Sequence, residues 1–114
     1  PYTTLFRSLS KNKDFKLILT GKKVSNKYLS IFFKKLSDKN IKKLNISFII
    51  KKKIGKAVIR NKIKRRLKNI MNQITKISKI NFEYSYLIIV KQPIINAKYV
   101  DIKNSLKKEY NRIK

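Results

Sequence analysis

An apolar stripe runs through the most cationic part of this chain. Ile59, Ile63, Leu67, Ile70 and Ile74 are three or four residues apart, the spacing of one helical face. Arg60, Asn61, Lys64, Arg65 and Lys68 fall on the other faces of the same helix. A disordered lysine tail carries no such stripe. A helix that buries it must hold its guanidinium and ammonium groups as a fixed surface array, and such an array suits a polyphosphate backbone. The segment from Lys51 to Leu67 is therefore read as an ordered basic helix docked on a core.

The remainder of the chain can supply that core. Its 114 residues fit one domain, and 42% of them are hydrophobic. The net charge of +26 works against compaction by self-repulsion unless a polyanion relieves it. Nucleic acid is the first partner this implies and an anionic membrane the second. No uninterrupted apolar run approaches the roughly 20 residues that span a bilayer, so a membrane role is not expected. Cysteine and histidine are absent. That excludes disulfides and thiolate zinc sites, and it favours a cytoplasmic location. The carboxylates are Asp14, Asp38, Glu83, Asp101 and Glu109, scattered over separate elements. No general base, nucleophile or metal cluster is evident, so a protein-only nuclease is not expected. The excess of Lys, Asn and Ile matches the drift of an AT-rich genome, but drift does not place basic residues opposite an apolar stripe.

Residues 1–8, Pro1-Tyr2-Thr3-Thr4-Leu5-Phe6-Arg7-Ser8, lack Lys, Asn and Ile and read as a translated sequencing-adapter end. They are set aside as a non-native segment. The native domain is expected to run from about Leu9 to Lys114.

Ser10 is placed as the cap of a helix from Lys11 to about Leu19, with Phe15 and Leu19 on one face and Gly21 past its end. Tyr28 to Lys35 and Leu44 to Ile50 read as strands, with a turn at Ser37-Asp38-Lys39-Asn40. Gly55 precedes the long helix, about Ala57 to Lys76. Glu83 to Val90 is nearly continuous in apolar residues and is expected to be the central strand, ended by Pro93. Asn96 is placed as the cap of a final helix from about Ala97 to Asn111, with Val100 or Ile102, Leu106 and Tyr110 inward. The order α-β-β-α-β-α gives an α+β sandwich, with the helices expected on one face of the sheet.

The stretch Lys52-Lys53-Ile54-Gly55-Lys56-Ala57-Val58-Ile59-Arg60-Asn61-Lys62-Ile63-Lys64-Arg65 resembles the signature of the bacterial ribonuclease P protein component, K-x-G-x-A-V-x-R-N-R-x-K-R. Lys11-Asn12-Lys13-Asp14-Phe15 is similar to that family's first helix, and Tyr86 to Pro93 to its final strand and stop. The resemblance covers Leu9 to Tyr110. It implies a ribosomal-protein-S5-domain-2-like fold with a left-handed βαβ crossover through the basic helix, against the usual handedness. It also implies that the chain binds the catalytic RNA of ribonuclease P and the 5′ leader of precursor tRNA. Magnesium ions would be held mainly by the RNA, and no small-molecule substrate or membrane is implied.

Carried over residue by residue, the resemblance assigns Lys53, Arg60, Asn61, Lys62, Lys64, Arg65 and Lys68 to the RNA subunit. It assigns Phe15, Leu19, Phe32 and Lys52 to the leader. Lys62 stands where the motif has its second arginine, which keeps the charge and loses the bidentate fork. Leu19 stands where many members carry an aromatic, and would supply an apolar wall. Strand alternation sends Phe32 and Phe33 to opposite faces. One belongs to the core, and the leader cleft of the family selects Phe32 as the other, with Tyr84 and Tyr86 left in the core. The bland alternatives are a solvated basic helix, a basic ribosomal protein of the same size and class, and an autonomous endonuclease.

Overall fold

A computed structural model describes residues 6–7, 12–35, 44–77 and 83–113. Its elements are β1 (Phe6–Arg7), α1 (Asn12–Leu19), β2 (Lys22–Ser25), β3 (Leu29–Lys35), β4 (Leu44–Ile49), α2 (Ala57–Ile77), β5 (Tyr84–Val90) and α3 (Tyr99–Arg112). One-turn 3₁₀ segments precede α2 at Lys52–Ile54 and follow β5 at Gln92–Asn96. The expected Ser10 cap, the Lys11 start and the Ser37–Asn40 turn lie outside the described residues.

The sheet runs β1-β4-β5-β3-β2, with β5 in the centre. β4 and β5 pair in parallel, from Asn45 opposite Ser85 to Ile49 opposite Ile89, and the chain crosses between them through α2. β3 lies antiparallel on the other side of β5. Side chains alternate across the sheet as a period of two demands. Leu29, Ile31 and Phe33 of β3, with Tyr86, Ile88 and Val90 of β5, face one way. Phe32, Leu87 and Ile89 face the other.

The first face is covered by α2 and α3. Ile63, Leu67, Ile70, Met71 and Ile74 of α2 join Ile102, Leu106 and Tyr110 of α3 in a single buried cluster. The second face carries α1, through Ile18 and Phe15 against Phe32, Ile49, Leu87 and Ile89. Helices on a single face were expected, and this arrangement corrects that expectation. The central strands are apolar on both faces, so both must be covered. The inward anchor of α1 is likewise Ile18, which is fully buried, whereas Leu19 is 45% exposed.

Two strands lie outside the expected set. β2 is Lys-Lys-Val-Ser, with too little apolar content to show a period. It is an edge strand, where lysines are common. An Asn26 turn joins it to β3, with Asn26 Oδ1 accepting from the amides of Tyr28 at 2.8 Å and Leu29 at 3.1 Å. Lys91 Nζ donates to Ser25 Oγ and to the Asn26 carbonyl, at 2.8 and 2.7 Å, and ties this hairpin to the end of β5. β1 falls inside the segment set aside as non-native and pairs in parallel with Leu44 and Asn45. Such pairing uses backbone groups, which any sequence supplies.

Gly21 is needed for space rather than for a left-handed backbone, since no described glycine lies in the left-handed region. A Cβ there would lie 2.5 Å from the Phe33 carbonyl oxygen and 2.9 Å from Lys34 Cβ. α3 begins two residues later than expected, capped by Lys98 with no side-chain bond rather than by Asn96, because a 3₁₀ turn that includes Pro93 runs from Gln92 through Asn96. Val100 is exposed, while Ile102, Leu106 and Tyr110 point inward. Burial raises the Tyr86 and Tyr110 phenols well above their ordinary range, so both stay neutral in the core.

Candidate nucleic-acid interface

Burial of the α2 stripe decides what the helix presents. At about 100° per residue, Asn61, Lys62, Arg65 and Asn69 project away from the side occupied by Leu67, Ile70 and Ile74. Asn61, Lys62, Lys64, Arg65 and Asn69 are exposed, and Arg66 and Lys68 are partly so. Just before the helix, the 3₁₀ turn exposes Lys52 and Lys53 and buries Ile54. These cations thus sit on a turn and a helix that are both pinned to the core. No acidic residue lies in the first turn of α2. Lys62, Arg65, Arg66 and Asn69 enclose an open depression of about 420 Å³.

Two residues of this segment act differently from the expectation. Arg60 is half-buried, and its Nε donates to the Gly55 carbonyl at 3.2 Å. It therefore braces the turn that carries Lys52 and Lys53 as well as carrying charge. Ile59 was expected in the buried stripe, but it is 37% exposed. It lies in the first turn of α2, beneath Gly55, where a Cβ would come within 3.2 Å of its side chain. Met71, absent from the expected stripe, is fully buried beside Leu67. At the far end, Asn69 Nδ2 and Gln73 Nε2 both donate to the Tyr99 hydroxyl, at 3.0 and 3.3 Å, and fix α3 against α2.

Phe15 and Phe32 are both half-buried and meet in the cluster on the α1 face of the sheet. Phe33 is in the opposite core, packed edge-on against Tyr84 at 5.3 Å between ring centroids. Leu19 is exposed at the end of α1. Lys52 is exposed three residues beyond Ile49, whose side chain belongs to the same cluster as Phe32. The predicted residues thus form two groups. One lies along the turn and α2, and the other lies on the α1 face of the sheet.

Sequence reasoning missed a cation in the second group. Lys23 of β2 is paired in register with Phe32, and its Nζ lies 5.6 Å from the ring centroid. A cation over an aromatic ring is held there by the ring quadrupole. β2 has no readable period, so no signal in the sequence pointed to Lys23. Arg66 was missed because it stands between the stripe and the outer face.

Among the described residues, no three His, Cys, Asp or Glu side chains converge. Glu83 pairs with Lys35 at 3.0 Å, and that contact raises the Lys35 ammonium above its ordinary value. Glu109 is buried and accepts from Arg112 at 2.9 Å. Also among the described residues, no helix is long and apolar enough to cross a membrane. The arrangement offers cations, aromatic faces and amides, groups whose chemistry suits a polyanion.

Residues 5–114 match the family model described as Ribonuclease P. The ribonuclease P protein component of Mycoplasma mycoides is 35% identical over 109 residues, spanning 95% of this chain and 96% of that protein. The same component of Listeria monocytogenes is 34% identical over 99 residues, spanning 86% and 80%. Among solved structures, the RNase P protein of Thermotoga maritima superposes with a TM-score of 0.80 at 24% identity, over 95% of this chain and 98% of that one. That of Staphylococcus aureus superposes with a TM-score of 0.73 at 30% identity, covering 94% of each.

Proposed function

The chain belongs to the ribonuclease P protein family, and we propose that it binds the RNA subunit of ribonuclease P through the outer face of α2. Membership of that family leaves no place for the basic ribosomal protein alternative. The single observation behind the binding role is the array of exposed Lys53, Asn61, Lys62, Lys64 and Arg65, with partly exposed Lys68, on rigid elements. Cations carried on a fixed backbone neutralise phosphates without a further cost in backbone freedom. Asn61 adds a donor and an acceptor within the array.

The hydrolytic step is assigned to the RNA. Among the described residues, Glu83 and Glu109 are each paired with a cation and no three His, Cys, Asp or Glu side chains converge, which supports leaving metal chemistry to the RNA. Magnesium ions held by RNA phosphates would supply Lewis-acid chemistry. The polypeptide supplies affinity, register and charge neutralisation, in a cytoplasmic complex with precursor tRNA.

The α1 face of the sheet is proposed to hold the 5′ leader of precursor tRNA. Phe15 and Phe32 offer ring surface, Leu19 an apolar wall, and Lys23 and Lys52 charge. Extended single-stranded nucleotides are bound by stacking plus backbone electrostatics. Base–aromatic stacking contributes roughly 1–3 kcal/mol per base. Phe32→Ala is therefore expected to weaken binding of precursor tRNA about 5- to 150-fold in the reconstituted complex. Mature tRNA, which has no leader, should bind as before. Equal weakening of both, or of neither, would make Phe32 an ordinary packing residue.

A further inference from the structure

A second concavity on α2 is apolar. Between α2 and the segment running from the Gln92–Asn96 turn into α3 lies a groove of about 180 Å³. Ile63, Leu67, Ile94 and Ile102 are buried and form its floor. Ile59 and Ile95 stand at its mouth, 37% and 36% exposed. Lys62 and Arg66 complete the lining, and no acidic residue lines it. The fold does not need this opening, because α2 and α3 are already joined through Leu67, Ile102 and Leu106. Isoleucines left exposed beside a buried apolar floor mark a place for a ligand.

Size and charge select the occupant. An apolar cavity of roughly 150 Å³ admits a benzene ring, so this groove takes one aromatic ring system and not a helix or strand. Lys62 and Arg66 also border the cationic depression completed by Arg65 and Asn69. A nucleotide strand lying in that depression has its phosphates on the cations and the groove within reach of a base. We infer that the groove holds one unstacked nucleobase of the RNA bound along α2, between the isoleucine walls and the Arg66 guanidinium. Unpaired bases in loops and bulges are the parts of RNA that proteins take out of the stack. This inference rests on the proposed RNA-subunit role and adds to it a site outside the basic motif, at Ile94 and Ile95.

The test uses the full chain and the ribonuclease P RNA of its own source. The chain has no cysteine, so Ile95→Cys carries a single photo-crosslinker whose attachment points on the RNA are read by primer extension. The expected result is crosslinking to one or two unpaired nucleotides. Making that nucleotide abasic, or making Ile95→Asn, should each weaken binding about tenfold, within the range for one stacked base. Combined, the two changes should cost little more than either alone, because both remove the same contact. Ile95 lies at the mouth of the groove, so the melting curve of Ile95→Asn should overlay that of the parent. Crosslinks spread over paired regions, or losses that multiply, overturn the inference. So does unchanged affinity in Ile95→Asn, which would leave the groove to an apolar partner of another class. Failure of the unaltered protein to bind the RNA is a different outcome. It shows before any variant is made, and it removes the RNA-subunit role and the base site together.

Discussion

Raising monovalent salt from about 50 to about 200 mM is expected to weaken RNA binding roughly 250- to 1,000-fold. Along the turn and α2, Lys53, Lys62, Lys64 and Arg65 are exposed and Arg66 and Lys68 partly so. If these neutralise about six phosphates, counterion release sets a log–log slope of roughly −4 to −5, according to strandedness. Arg60 is left out of the count because it is half-buried and braces the Gly55 turn. Arg65→Ala should reduce the slope by about one, as one lost phosphate contact does. Binding measured across a salt series checks both. A flat salt dependence would remove the phosphate-driven account, whatever the affinity at low salt.

The second large effect separates the two sides of α2. Leu67→Ala is expected to destabilise the fold by about 2–5 kcal/mol, because it empties a fully buried site between α2 and α3. Arg65→Ala, two residues away on the exposed face, should stay within about 0.5 kcal/mol of the parent. Chemical denaturation gives the stabilities, and RNA affinity gives the complement, weakened in Arg65→Ala under conditions where both variants are folded. Equal loss of stability in the two would contradict the division of the helix into a core side and an RNA side.

The parts of this protein that were legible in sequence are those where burial imposes a period. The stripe on α2 is one, from Ile63 to Ile74. The opposite orientation of Phe32 and Phe33 is another, because the pleat allows nothing else. The unbroken apolar run of β5 marked it as central. Illegible parts are set by tertiary placement. Nothing in Phe15, Ile18 or Leu19 says which face of the sheet α1 will cover, so the leader group and the α2 group are on opposite sides for a reason the sequence does not print. β2 has one partly buried apolar residue, Val24, and is held by its ladder and by Lys91. Lys23, its outward lysine over Phe32, was hidden for that reason. Gly21 stands just past the end of α1 as expected, with its amide donating to the Ile18 carbonyl, and it also permits the close approach of α1 to β3, a contact between residues that local reasoning does not join. The motif from Lys52 to Arg65 marked the RNA-facing helix. The isoleucine groove beside it depends on where the Gln92–Asn96 turn packs.

A polypeptide that only binds and positions RNA cannot cleave on its own, and reconstitution tests that directly. The purified chain and the ribonuclease P RNA of its source are assayed separately and together on precursor tRNA at low magnesium concentration. The expected result is leader removal only when both are present, with the rate of the mixture falling as salt rises. Cleavage of precursor tRNA by the polypeptide without RNA, or a mixture no faster than the RNA alone, would contradict it.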